Sequence, residues 1–486
     1  MDHDDTPRRE RSPGIKLLFV GLIALVLMVP LLLVYALVYD RRDQSQTAQA
    51  AINAGWGGAQ VLSGPVVVVP FRTTQTQNET VDGKQVSRVV EVEKLFYISP
   101  VENRVTTRID PQERRKSIYR SVLFTAQVKG AATFALPADL ERFGVTRERL
   151  MWDRAEVRVG TSDARGLTAG GSILAGGRPL EVQPGKGPAA SGGQGFFAFL
   201  PWDGQGSLRI AYALDVRGSG GISLVPRGGQ TRWEVTSSWA NPSFSGSFLP
   251  DKPQVSDKGF TARYTVDKLA LGQPPVGTED VGVPSAAPGS RYAFAEAPVL
   301  TATSSSGNVS AGGADEVVGQ PGHALTVDLI EPLNLYSKVD RSVKYGFLFI
   351  GFTFLAFLLF DVVGGARVAP VEYLLTGAGL VLFFALLLAF AEVIGFTLAY
   401  LLASAAVIGL LTAYSAAVLK SWKRARFIGV LLVGLYALLF VLLNLEAWSL
   451  LIGSVLLFVA LAGVMYATRT VDWGSVGRPR GAPVAG

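Results

Sequence analysis

The side chains that could do chemistry in this chain gather in the run Tyr336-Ser337-Lys338-Val339-Asp340-Arg341-Ser342-Val343-Lys344-Tyr345 and at the two carboxylates Glu392 and Glu446. Ser337 stands next to Lys338, but a nucleophile needs its base within hydrogen-bond reach, and adjacent residues on a strand point opposite ways. Lys338, Asp340, Arg341, Lys344, Glu392 and Glu446 are therefore read as coupling or interfacial residues, not as a catalytic set. Two roles fit them: a route along which a signal passes between a soluble and a membrane part, or a charge cluster that fixes the depth of a span.

Other chemistries fall away by residue type. Cysteine is absent and histidine occurs only at His3 and His323, so cysteine nucleophiles, disulfides and His- or Cys-based zinc sites are excluded. A carboxylate-only site for a hard metal stays open. Gly185-Lys186-Gly187-Pro188-Ala189-Ala190 imitates a dinucleotide fingerprint, but a proline sits inside it and the strand-then-helix context is missing. No phosphate loop, G-x-S-x-G elbow or S-x-x-K motif is present. No catalytic residue, cofactor or metal site is expected.

The elements that carry these residues divide by hydropathy. Ile15 to Tyr39 is a nearly unbroken apolar run of about 25 residues, enough to cross a hydrocarbon core of about 30 Å. A secretory signal has a shorter apolar region, so the run is read as an uncleaved anchor despite Ala48-Gln49-Ala50 downstream. Further spans are expected near 345–361, 371–391, 393–416, 427–444 and 448–467, giving six in all. With the N-terminus in the cytoplasm, the inner flanks carry twelve Lys and Arg and the outer flanks five. That asymmetry puts both termini inside and the large middle region outside. It also accounts for the formal charge of +6 without a nucleic-acid partner. No ionisable group is expected near mid-bilayer, and Ala405, Gly409, Ala413 and Ala417 line one face of a helix at a spacing that suits close packing.

Between the first and second spans the clearest pattern is period-two alternation. Leu208, Ile210, Tyr212, Leu214 and Val216 show it, as do Trp233 with Val235, and Phe260, Ala262, Tyr264 and Val266. Antiparallel strands with one wet face and a sandwich-like arrangement follow. The stretches 164–195 and 272–322 are rich in Gly, Pro, Ser and Ala and read as loops.

The fold class expected is a membrane protein of mixed β and α structure. A large extracytoplasmic β-rich, sandwich-like domain at 40–340 joins a six-span α-helical transmembrane portion, made of the anchor at 15–39 and a five-helix bundle at 345–467. Cytoplasmic tails fill 1–14 and 468–486.

Several strings resemble the CreD family of bacterial inner-membrane proteins. They include Trp56-Gly57, Gly64-Pro65, Ile118-Tyr119, the run Trp239-Ala240-Asn241-Pro242-Ser243-Phe244-Ser245-Gly246, Phe248-Leu249-Pro250 and Gly259-Phe260. The run from Tyr336 to Gly346, Glu392-Val393-Ile394-Gly395-Phe396 and Asp472-Trp473 extend the likeness over nearly the whole chain. Two departures are Ala369-Pro370, where the family has His-Pro, and expanded Gly-rich loops. The resemblance implies an inner-membrane protein of envelope integrity and stress response, associated with altered β-lactam susceptibility and colicin tolerance and under two-component control in some bacteria. It brings no catalytic residues. The expected function is binding, sensing or scaffolding by the periplasmic domain, with membrane lipid and an envelope protein, lipid or glycan as partners. The alternatives are a transporter or lipid-handling protein whose periplasmic domain is a carrier, and an enzyme whose site assembles only in three dimensions.

Overall fold

The structure, a computed structural model, describes residues 13–81, 84–116, 119–285, 318–329, 335–362, 368–444 and 449–469. Its contacts divide into a unit of residues 47–332 and a unit made of residues 1–46 with 333–486.

Helix α1 (Pro13–Ala54) leads into two long hairpins, β1 (Gln60–Val81) with β2 (Lys84–Ile98), and β3 (Glu102–Lys116) with β4 (Tyr119–Phe134). Shorter strands follow: β5 (Glu156–Thr161), β6 (Leu167–Ala175), β7 (Arg178–Leu180), β8 (Gln183–Pro184) and β9 (Gly195–Phe199). Next come β10 (Leu208–Ser219), β11 (Gly221–Val225), β12 (Gln230–Ser237), β13 (Pro242–Gly246), β14 (Gln254–Ser256) and β15 (Gly259–Val266). A turn of helix, α2 (Lys268–Leu271), precedes β16 (Val276–Gly277), β17 (Asp280–Gly282), β18 (Val318–Pro321) and β19 (Leu325–Leu329).

One sheet runs β13-β19-β11-β1-β5-β9-β8, with β2 on β1 and β16 on β2, and a second runs β14-β15-β12-β3-β4-β10-β6-β7. The alternation in the sequence decides their inner faces. Val67, Val69 and Val157 from the first sheet share one buried core with Val105, Ile109, Trp233, Val235 and Tyr264 from the second. Polar bonds cross the same interior. Tyr212 OH donates to Asn103 Oδ1 at 3.2 Å, Asn103 Nδ2 reaches the Gly64 carbonyl at 3.4 Å, and Tyr264 OH donates to the Thr326 carbonyl at 3.4 Å. Loss of hydration raises both phenols above their ordinary value, so they stay neutral donors. Gly64 is held at φ +96°, where a Cβ would stand 2.8 Å from the Arg158 carbonyl oxygen, which explains a glycine there.

The expected loop at 164–195 contains three strands and the start of a fourth: β6 pairs with β10 and β7, and β8 with β9. Its glycines had hidden the strand signal; Gly171 lies under the Phe196 ring, a close approach only a glycine permits. In the other expected loop the residues 286–317 lie outside the described ones, while β16, β17 and β18 are paired at its two ends. The near end is fixed by Asp280. Its carboxylate accepts from the Ala189 amide at 2.7 Å and the Val281 amide at 2.8 Å and pairs with the Arg227 guanidinium, with both charged side chains almost fully buried.

The other unit is helical: residues 13–46 of α1, then α3 (Leu335–Lys344), α4 (Gly346–Val362), α5 (Pro370–Ile394), α6 (Phe396–Val418), α7 (Trp422–Asn444) and α8 (Ser449–Thr468). Among the described residues five helical stretches are long and apolar enough to cross a membrane: Leu18–Asn53, Leu335–Leu358, Pro370–Ile394, Phe396–Val418 and Trp422–Asn444. These five match five of the six spans expected. The segment expected at 448–467 is the 20-residue apolar helix α8 (Ser449–Thr468), several of whose side chains lie outside the described ones. The second of these stretches begins with α3, which carries Lys338, Asp340, Arg341 and Lys344 and leads into the apolar α4.

Leu27, Leu31, Val34 and Val38 recur on one face of α1 and are buried. Leu27 sits against Gly377 of α5, and Leu31 lies where a Cβ on Gly346 would come within 2.9 Å. Phe383, Phe384, Tyr400 and Tyr436 form an aromatic centre, with Phe383 and Tyr436 ring centroids 4.5 Å apart. Ala405, Gly409, Ala413 and Ala417, the small-residue face, are exposed, so among the described residues this face packs on nothing within the bundle.

Candidate functional site

Five of the six residues singled out from sequence are described, and four of them lie on α3. Tyr336, Lys338, Val339, Ser342 and Val343 form its buried face, and Lys338 is only 5% exposed. The Lys338 ammonium donates to Asn444 Oδ1 at 3.0 Å and stands 5.1 Å from the centre of the Phe396 ring. A buried cation needs such partners, and the ring's negative face supplies part of the solvation that water would have given. Tyr336 OH donates to Glu392 Oε1 at 3.2 Å, so α3 is tied to the C-terminal end of α5 as well as to that of α7.

Asp340 and Lys344 pair with each other at 2.8 Å one turn apart, and the Lys344 ammonium lies 5.8 Å from the centre of the Tyr35 ring. Arg341 is half-buried on the same helix. The structure thus joins Lys338 and Glu392 to one helix through different partners, while Asp340 and Lys344 satisfy one another. Glu446 lies outside the described residues. Lys338 stands near the start of its span, where charges were expected, but it is buried in the bundle instead of lying at a wet flank.

A second site was not singled out from sequence. The outer face of the second sheet carries a groove of about 1310 Å³, walled on one side by the β14–β15 hairpin. Register builds its floor. Gln254 lies opposite Thr261, Thr261 opposite Thr236, Thr236 opposite Arg108 and Arg108 opposite Gln127, one side chain from each of five adjacent strands. At about 4.8 Å per strand the row extends roughly 19 Å. None of the five side chains has a hydrogen-bond or ion-pair partner among the described residues. Further along the same face ion pairs take over: Arg263 pairs with Glu234 at 3.3 Å in the next row, and beyond it Arg104 and Arg232 both reach Glu102 at 2.8 Å. Alternation with Phe260 and Ala262 had placed Thr261 alone of these on an outward face; only the cross-strand register shows the row.

The false fingerprint at 185–190 has a structural use instead. Lys186 bonds Glu156 at 2.5 Å over the Phe197 ring, and Glu156 also holds Arg158 at 3.2 Å. Among the described residues no group of three His, Cys, Asp or Glu could hold a metal ion.

The comparisons with known proteins agree with this architecture. A profile of the family described as inner membrane protein CreD matches residues 12–474. The inner membrane protein CreD of Escherichia coli (strain K12) is 30% identical over 463 residues, covering 94% of this chain and 92% of the relative. The match runs through the apolar spans and the β-rich unit alike, and the chain belongs to the CreD family of inner membrane proteins.

Proposed function

We propose that this protein is a non-enzymatic component of the bacterial cell envelope, multi-pass in the inner membrane with both termini in the cytoplasm. Its β-rich unit lies in the periplasm and binds an envelope component, contributing to envelope integrity or stress response. The observation that carries this reading is the groove of the second sheet: a long, open row of hydrogen-bonding side chains without partners among the described residues, next to the ion-paired Arg263 and Glu234. Preformed concavity with convergent polar groups is the usual mark of a binding site. The charge asymmetry of the flanks supports the orientation.

On the same reading α3, the first helix of the membrane unit after the β-rich unit in chain order, is where occupancy would be passed on. Lys338, Asp340, Arg341, Lys344 and Glu392 carry it, with Lys338 and Tyr336 bridging to the ends of α7 and α5.

The test is photo-crosslinking in living cells from Gln127 and Thr261, each replaced by a photoreactive residue. Recovery of one discrete envelope component from both positions is the expected result. Adducts that form from positions in the bundle but never from the groove would overturn the reading in favour of transport or lipid handling.

A further inference from the structure

We infer that the groove between β14 and β4 holds a segment of an uncharged glycan strand. The inference rests on the binding reading above and names its ligand class.

Charge rules out the polyelectrolytes first. The lining contains Arg108 and Lys258 against Asp110, a balance of two basic groups to one acidic. A site for a polyanion needs a run of Lys and Arg whose attraction dominates affinity, and a site for a basic segment needs the converse. Neither is here.

Apolar ligands are excluded next. Phe260 and Ile109 lie beneath the groove, 4% and 2% exposed, so their surface is already spent on the core. Val255, half exposed at the wall, is the large apolar side chain that the lining offers outward. An acyl chain has no trough to enter. A folded protein partner would need aromatic or Arg anchors in desolvated pockets, and one exposed Arg108 on an open floor does not supply them.

What remains is a floor of hydroxyls and carboxamides. Thr236 and Thr261 each donate and accept, and Gln127 and Gln254 present a carbonyl and an amide together at the two ends of the row. Sugar hydroxyls have the same double character, and an N-acetyl group matches a carboxamide donor for acceptor. Each strand step brings one such group into line, so a chain of repeating polar units lying across the strands meets a new partner at every step. The volume exceeds that usual for a small-molecule pocket and the groove is open, as a polymer passing through requires. The rigid sheet beneath pre-orients the row, which limits the entropy lost on binding.

The test uses the full chain in lipid nanodiscs and an N-acetylglucosamine hexasaccharide as probe, with saturation-transfer NMR and calorimetry as readouts. The probe is expected to bind, and the Thr236→Val, Gln127→Leu double variant to weaken it about tenfold, as loss of two modest hydrogen bonds predicts. Arg263→Ala, at a residue paired with Glu234 in the row alongside, is expected to leave binding unchanged. Unaltered thermal unfolding of the double variant shows that the floor is intact. No saturation transfer to the hexasaccharide, equal affinity in the double variant, or stronger, salt-sensitive binding of a sulfated hexasaccharide would each overturn the inference. A protein adduct from Gln127 in cells, together with no glycan binding, would overturn the glycan and leave the broader binding function standing.

Discussion

Lys338 Nζ lies 3.0 Å from Asn444 Oδ1, so the first charged residue of α3 is held by the last residue of α7, 106 positions later in the chain. Removing an acceptor from a buried cation leaves its solvation incomplete, whereas removing the cation removes the need for it. Asn444→Leu is therefore expected to lower stability by about 1–3 kcal/mol, and Lys338→Met by less. Denaturant titration of the solubilised protein, followed by tryptophan fluorescence, checks the order. A Lys338→Met protein that is stable but fails to support envelope function would place Lys338 in coupling. One that is stable and fully functional would leave it an anchor of span depth.

The pair Arg227–Asp280 is a different case, because its charges sit in the β-rich unit with almost no exposure. Asp280→Ala strands a buried guanidinium and frees two backbone amides that it had bonded, so about 3–5 kcal/mol of stability is expected to be lost. Replacing both charges, as Arg227→Met with Asp280→Leu, is expected to recover part of that loss but not the part that came from the amides of Ala189 and Val281. Limited proteolysis near residue 280 reads the local loosening, and chemical denaturation reads the total.

Much of this was legible from residues alone, and the reasons for the exceptions are physical. The alternation at Trp233, Val235, Tyr264 and Val266 identified core positions because a half-buried strand must alternate. Asp280 could not be found that way: its importance depends on Arg227 and on the amide of Ala189, far apart in sequence and joined only by the fold. The row Gln254, Thr261, Thr236, Arg108, Gln127 shows the same limit, since β3 and β12 pair in parallel and no short-range signal states that register. Lys338 was picked out as a charged residue next to a span, but a one-dimensional hydropathy reading assigns charges to flanks. The helical face that buries Lys338 is set by Tyr336, Val339 and Val343 around it.

Asp163 offers a pH test outside the membrane. Its carboxylate accepts from the Arg165 amide at 3.0 Å and from the guanidinium of the same residue at 2.8 and 3.0 Å, capping a short turn that leads into β6. The Arg165 guanidinium holds its pKa below the ordinary 3.8, so the charged form is favoured in the folded state. Its stabilisation is complete above the ordinary aspartate range and is lost as pH falls through the lower folded value. Asp163→Ala is expected to cost about 1 kcal/mol at neutral pH, as loss of a cap does. The difference from wild type should shrink below pH 3.8 in melts recorded across that range.

The closest test of helix packing is the contact of Leu27 with Gly377. A Cβ on Gly377 would overlap the Leu27 side chain and stand 2.9 Å from Phe354 Cζ, and with rings on one side and α1 on the other there is little room to yield. Overpacking of this kind costs about 1–3 kcal/mol. Gly377→Ala is expected to loosen α1 from α5 by that order, and Leu27→Ala in the same chain to restore part of it, because the shortened side chain vacates the space the new methyl needs. The chain contains no cysteine, so a cysteine pair placed across the two helices reports their proximity without background. Disulfide yield should fall in Gly377→Ala and recover in the double variant. If Leu27→Ala instead adds its own loss to that of Gly377→Ala, the two residues do not share this contact in the membrane, and the face Leu27, Leu31, Val34 and Val38 packs elsewhere.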